Sequence, residues 1–197
     1  IKGCAYDYNC SNNSSLFNTV FVEYDIQNKS LDNYHDFYFG QWVDYDLGNF
    51  SNDRVGCDTS SNSFYVYNGT VPDVNIAGVN GYGTQTVVQT TAFLNRKLSG
   101  HVSWGNAANA GMNDPVNATQ YYNYLTGRWA DSTLMTYDST GYGGTTPYPY
   151  AFDGNPANVA QWSECSASLQ SGDRRSMGVS GPYNFQKDST LKFSLAY

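Results

Sequence analysis

Apolar and polar side chains alternate along much of this chain with the two-residue period of a half-buried strand. From Thr19 to Ile26, the residues Val20, Val22, Tyr24 and Ile26 share one face, and Phe21, Glu23 and Asp25 the other. Asp36 to Val43 predicts a second strand, with Phe37 and Phe39 set against Tyr38 and Trp42. Ser63 to Tyr67 predicts a third, short and aromatic. Thr84 to Phe93 predicts a fourth, β-branched with one solvated face. Near the end, Leu191, Phe193, Leu195 and Tyr197 alternate with Lys192, Ser194 and Ala196, a pattern expected of a fragment cut from a longer protein. One helix is predicted. Asn113 and Asp114 offer caps before Pro115, Gly127 closes the segment, and Tyr121, Tyr122 and Leu125 form its buried side. Asp138 to Pro156 reads as a long structured loop. The prediction is an all-β fold, β-sandwich or jelly-roll-like with long loops and one or two short helices, forming a single module over residues 1–197.

Composition narrows the partners. With 40% hydrophobic residues the chain can bury a core. A formal net charge of −7 disfavours nucleic acid and anionic membranes. No apolar run approaches the ~20 residues of a membrane-spanning helix. Of the 17 acidic residues only Glu23 and Glu164 are glutamates, so turns and caps are favoured over helix surfaces. Cys4, Cys10, Cys57 and Cys165 match no zinc spacing. The favoured reading is two disulfides, Cys4–Cys10 and Cys57–Cys165, which implies an exported, oxidising location; the other is four reduced thiols.

The candidate chemistry lies in the aspartates. Asp44 and Asp46 follow a predicted strand, Gly48 permits a turn, and Asp53, Asp58 and Asp73 come soon after. Ca²⁺ needs six to eight oxygen ligands, which carboxylates on short loops can supply. The competing reading is that these aspartates cap turns. Position twelve counted from Asp44 is Val55, so this is no EF-hand. Arg174 and Arg175 offer either an anion clamp or, the favoured reading, an internal ion pair with Asp173, Asp153 or Glu164. Tyr148 and Tyr150, between prolines, are the expected exposed aromatics of a glycan-binding surface, whereas Trp42 and Trp162 are expected in the core. Enzyme signatures are absent: His35 and His101 form no zincin motif, and Pro182 spoils the nucleophile elbow at Ser180. A non-catalytic protein is expected, with glycoside hydrolysis by a carboxylate pair as the alternative.

The run YFGQWVDYDLGNFSNDRVGCDTSSNSFYVYNG, residues 38–69, resembles a module of large secreted Bacteroidota proteins that carry type IX sorting tails. Its usual form is D-x-D-L-G-x-x-x-D-D-x-V-G-C-D followed by Y-x-Y-N-G-D. The blocks at residues 81–85, 121–133, 136–144 and 162–183 follow in the same order, so the likeness covers residues 17–197. Asn52 and Thr70 depart from it, each standing where an acid is usual. The resemblance implies a secreted or cell-surface module within a multidomain protein and implies no reaction. Asp-Ser-Thr triplets at Ser132, Ser139 and Ser189 are similar to the O-glycosylation motif of that phylum. The expectation is thus a calcium-stabilised structural or adhesion module whose partners are other domains of the same surface protein. The alternatives are a glycan-binding module and a self-associating surface or filament subunit.

Overall fold

The computed structural model describes residues 1–76, 78–105 and 111–197. Its strands, in chain order, are β1 (Lys2–Asp7), β2 (Val20–Gln27), β3 (Tyr34–Asp44), β4 (Asp53–Asp58), β5 (Ser63–Asn68), β6 (Val88–Phe93), β7 (Gly100–Gly105), β8 (Arg174–Phe185) and β9 (Thr190–Ala196). Two short helices, α1 (Ser14–Phe17) and α2 (Ala118–Leu125), complete the described elements with a 3-10 turn at Phe50–Asn52. The strands form two antiparallel sheets, one six-stranded in the order β1-β2-β9-β6-β5-β4 and one three-stranded in the order β3-β8-β7. The expected all-β, sandwich-like fold is the observed one.

Through β7 and the middle of β8 both faces of the small sheet are buried. One face meets the large sheet through Phe39, stacked on Phe193 of β9 at 4.2 Å. There Gly178 of β8 leaves room for the Phe64 and Phe93 rings, with which a Cβ at that position would collide. The other face carries Met177 and Val179 against Trp129, Tyr124, Met135 and Phe152 from α2 and the long loops. A strand buried on both sides shows no polar–apolar alternation. That holds for β4, with Val55, Gly56 and Cys57 all buried, whereas β7 and β8 alternate but bury the polar set too, His101, Ser103, Ser176 and Ser180.

Several expectations are corrected. Helix α2 is capped by Asn117, whose side chain accepts the Gln120 N–H at 3.1 Å, not by Asn113 or Asp114. It buries Asn123 and Tyr124, while Tyr121 and Tyr122 are exposed. Trp42 is 48% exposed rather than core, whereas Trp162 is buried as expected. The four cysteines are free thiols, so neither Cys4–Cys10 nor Cys57–Cys165 forms. Cys57 faces the core from β4, its Sγ directed to the Ala151 carbonyl at 3.6 Å, while Cys165 is exposed. Cys4 is held in the regular ladder of β1, and Cys10 lies in a turn beyond it. No helix among the described residues is long and apolar enough to cross a membrane.

Candidate metal centre

The acids converge where β3 ends and β8 begins. Asp44 is the last residue of β3 and pairs with Arg175, so Asp173 sits beside it just before β8. Asp46 has φ 43, which turns the chain out of the strand just after Asp44. Oxygens of Asp44, Asp46 and Asp173 all lie within 4.8 Å of one another. Gly48, at φ 61, continues the turn, and a Cβ there would collide with Asp73 Oδ2.

Asp53 stands behind this triad with no exposed surface. Its Oδ2 accepts the Leu47 N–H at 3.0 Å, and its Oδ1 has no hydrogen-bond partner. Burial pushes the Asp53 carboxyl up to about 8 against the Leu47 hydrogen bond, and the charges of Asp46, Asp73 and Asp173 add to the rise. Burial also raises Asp44, opposed by Arg175 and assisted by Asp46 and Asp173; its Oδ1 lacks a hydrogen bond too. Buried Asn52 nearby has an unbonded Oδ1, while its Nδ2 donates to Thr70 Oγ1 at 3.0 Å and Asp73 Oδ1 at 3.3 Å. A buried carboxylate oxygen without a donor costs roughly 1–3 kcal/mol or more. An oxygen-binding cation would remove that cost, and an all-oxygen donor set suits Ca²⁺ over softer metals.

Two of the five aspartates predicted as ligands lie elsewhere. Asp58 caps the β4–β5 turn, accepting the Ser60 N–H at 2.8 Å and the Ser60 and Ser61 hydroxyls at 2.6 and 2.8 Å. These bonds, Ser60 first, hold its carboxyl below the usual range. Buried Asp73 pins two loops together, accepting the Asn49 N–H at 3.2 Å and the Tyr82 N–H at 2.7 Å. Turn capping is therefore the role of these two. Asp173 was missing from the predicted set. Its one signal in the sequence is the Asp-Arg-Arg run, which points to an ion pair and not to a metal ligand.

Arg174 makes the internal ion pair expected with Glu164, whereas Arg175 takes Asp44 and Asp114, outside the expected mates. Arg174 Nε binds Glu164 Oε1 at 3.0 Å in a nearly dry site. Arg175 bridges Asp44 at 3.2 Å and Asp114 at 3.3 Å. The expected exposed tyrosines are half-buried: Tyr148 donates to Asp153 Oδ2, and Tyr150 donates to the Leu98 carbonyl at 3.2 Å. Their rings pack against the two cores. Ser132 and Ser139 are exposed in turns with φ 74 and 53, and half-buried Ser189 donates to the Gln186 carbonyl at 2.7 Å. Comparison with protein-family models, curated proteins and solved structures finds no match for this chain.

Proposed function

We propose that the chain is a non-catalytic extracellular module of a larger surface protein, serving architecture or adhesion, and that Ca²⁺ bound at Asp44, Asp46 and Asp173 holds its loops together. One observation carries the metal reading: fully buried Asp53 places a carboxylate oxygen without a hydrogen bond in the electrostatic field of that acidic cluster. An acidic cluster repels itself, and Arg175 bridges Asp44 of this cluster to Asp114. A divalent ion at the triad would relieve that repulsion, including the part that falls on Asp53. The surface and adhesion part of the reading is supported by the sequence resemblance to modules of type IX-secreted proteins.

The bound ion would join the end of β3 to the start of β8, with the Asp53 loop between them, and so restrain all three at once. Calorimetric titration of EDTA-stripped protein tests this. One Ca²⁺ site is expected, lost in an Asp46→Asn/Asp173→Asn variant and kept in Asp58→Asn, whose carboxyl serves only its own turn. No heat with Ca²⁺, or a site abolished by Asp58→Asn and untouched by the double variant, would contradict it.

A further inference from the structure

The two sheets have four outer strands; β4 and β7 are closed by other parts of the chain, and β3 is interrupted by irregular pairing. On β4, the Cys57 N–H donates to the Phe152 carbonyl at 3.1 Å, and the Asp53 carbonyl accepts the Gly172 N–H at 3.0 Å. On β7, His101 donates to the Pro149 carbonyl at 2.8 Å and accepts the Ala151 N–H at 2.9 Å. The register of β3 is broken twice between Tyr34 and Phe39, with Asp36 at φ 54. Strand β1 differs from all three. Its six residues are exposed, its register with β2 is unbroken, and among the described residues no main-chain bond reaches its outer side. It also lacks the proline or bulge by which soluble proteins blunt an open edge.

Which groups that edge presents follows from the ladder. Val20 and Tyr197 exchange both main-chain hydrogen bonds, at 2.9 and 2.8 Å, so even-numbered residues of β2 point theirs at β9 and odd-numbered ones at β1. Cys4 opposes Glu23, and its own N–H and C=O are therefore spent on β2. Gly3 and Ala5 point theirs outward. A symmetric antiparallel pair of such edges keeps each side chain on its own face, so directly opposed residues must both be odd-numbered or both even-numbered. Centred on Cys4, the pairing sets Gly3 against Ala5 of the second copy, two small residues that can exchange both main-chain bonds. It sets Lys2 against Tyr6 of the second copy. The Tyr6 hydroxyl donates to Glu23 at 3.3 Å, so the lysine would meet a ring face and a carboxylate together. Centred on Ala5 instead, Lys2 would face Tyr8, beyond the end of the strand.

We propose that β1 pairs antiparallel with β1 of a second copy of this chain, the two-fold axis passing at Cys4, which merges the two six-stranded sheets into one. The Cys4 pair occupies a non-hydrogen-bonded position, where Cα atoms lie about 4.5 Å apart, close enough for the two sulfurs to be trapped as a disulfide. This inference does not depend on the metal site, which lies at the ends of β3 and β8.

The test begins with sedimentation of the reduced protein from about 1 to about 100 μM, a range that spans ordinary homodimer affinities. A concentration-dependent dimer is expected. Ala5→Pro deletes an outward N–H without touching the ladder to β2 and should give a monomer that still melts in one cooperative transition, at a temperature independent of concentration. Trapping with diamide guards against a variant that merely misfolds. In a Cys10→Ser/Cys165→Ser background, two Cys4 thiols give up two protons and two electrons to the diazene, which becomes the hydrazine, and one S–S bond forms. A covalent dimer should appear quickly. It should not appear when the thiol is moved by Cys4→Ser/Ala5→Cys, because residue 5 faces residue 3. A protein monomeric throughout, a dimer that survives Ala5→Pro, or equal trapping at positions 4 and 5 would overturn the proposal.

Discussion

Asp53 concentrates the physical problem of this molecule in a single side chain. Its carboxyl is fully buried, half-bonded and surrounded by other acids. Replacing it with asparagine removes the cost of neutralising a carboxyl on burial and supplies an N–H₂ donor toward the neighbouring acids. Metal-free Asp53→Asn is therefore expected to melt higher than the metal-free parent and to lose most of its response to Ca²⁺; thermal melts in EDTA and in Ca²⁺ read both effects. A variant destabilised under both conditions would mean that Asp53 acts only through its bond to Leu47. His101 makes a second residue-scale prediction. It is buried between the Ala151 carbonyl at 2.8 Å and the Ser176 hydroxyl at 3.3 Å, and burial lowers it from 6.5 to about 4. The unfolded chain binds that proton more readily, so this contribution is complete above pH 6.5 and is lost as the pH falls toward 4. The loss should approach about 3 kcal/mol, and urea unfolding at pH 7.5 and 4.5 should show the difference shrinking in His101→Gln. Little of this was legible in the residues alone. Asp44 and Asp46 announce themselves by spacing, but Asp173 reaches them only through a strand pairing distant in sequence. The burial of Asp53 is equally a property of the assembled fold.

Individual elements were readable where one face is wet. β2, β5 and β9 alternate because one side meets the core and the other solvent, and each lies within a residue or two of its expected span. β4 is buried on both sides and loses that signal, while β7 and β8 alternate but place small polar residues and His101 at buried positions, where polarity suggests solvent. Helix α2 illustrates a different failure. A proline preceded by Asn and Asp resembles a helix start, yet the chain delays until Asn117, which places Tyr124 beside Trp104 at 4.9 Å and Trp129 at 6.2 Å. Asn117→Ala should then cost about 1 kcal/mol by loss of the cap, against almost nothing for Asn113→Ala, whose side chain has no capping role. Urea unfolding of the two variants distinguishes these caps, and equal costs would argue for the earlier start.

At the scale of the whole molecule, aromatic packing between layers takes the place that disulfides were expected to fill. Phe39, Phe193, Phe64 and Phe93 join the sheets, and Trp129, Tyr124 and Trp162 join the small sheet to the loops. Free thiols predict that all four cysteines react with Ellman's reagent in denaturant without reduction, and that reductant leaves the melting temperature unchanged. Even occupancy of half the thiols by disulfide would contradict this. The sandwich itself was legible from the alternating strands. The third layer was not, because it is built from loops whose only signal was a composition rich in Gly, Pro and Tyr. The acidic centre sits where one strand of the small sheet ends and its neighbour begins, so an ion there would restrain the global fold and not only a local turn. A ligand that binds the native state alone, at one hundred times its dissociation constant, stabilises by about 2.7 kcal/mol. For a chain of this size that amounts to a rise of roughly 5–10 °C. The decisive measurement is thermal unfolding in excess EDTA and then in millimolar Ca²⁺ or Mg²⁺. A melting point that rises by several degrees with Ca²⁺ and not with Mg²⁺ is the predicted result; identical melting under all three conditions would contradict the calcium staple and leave the acids as strand-end caps.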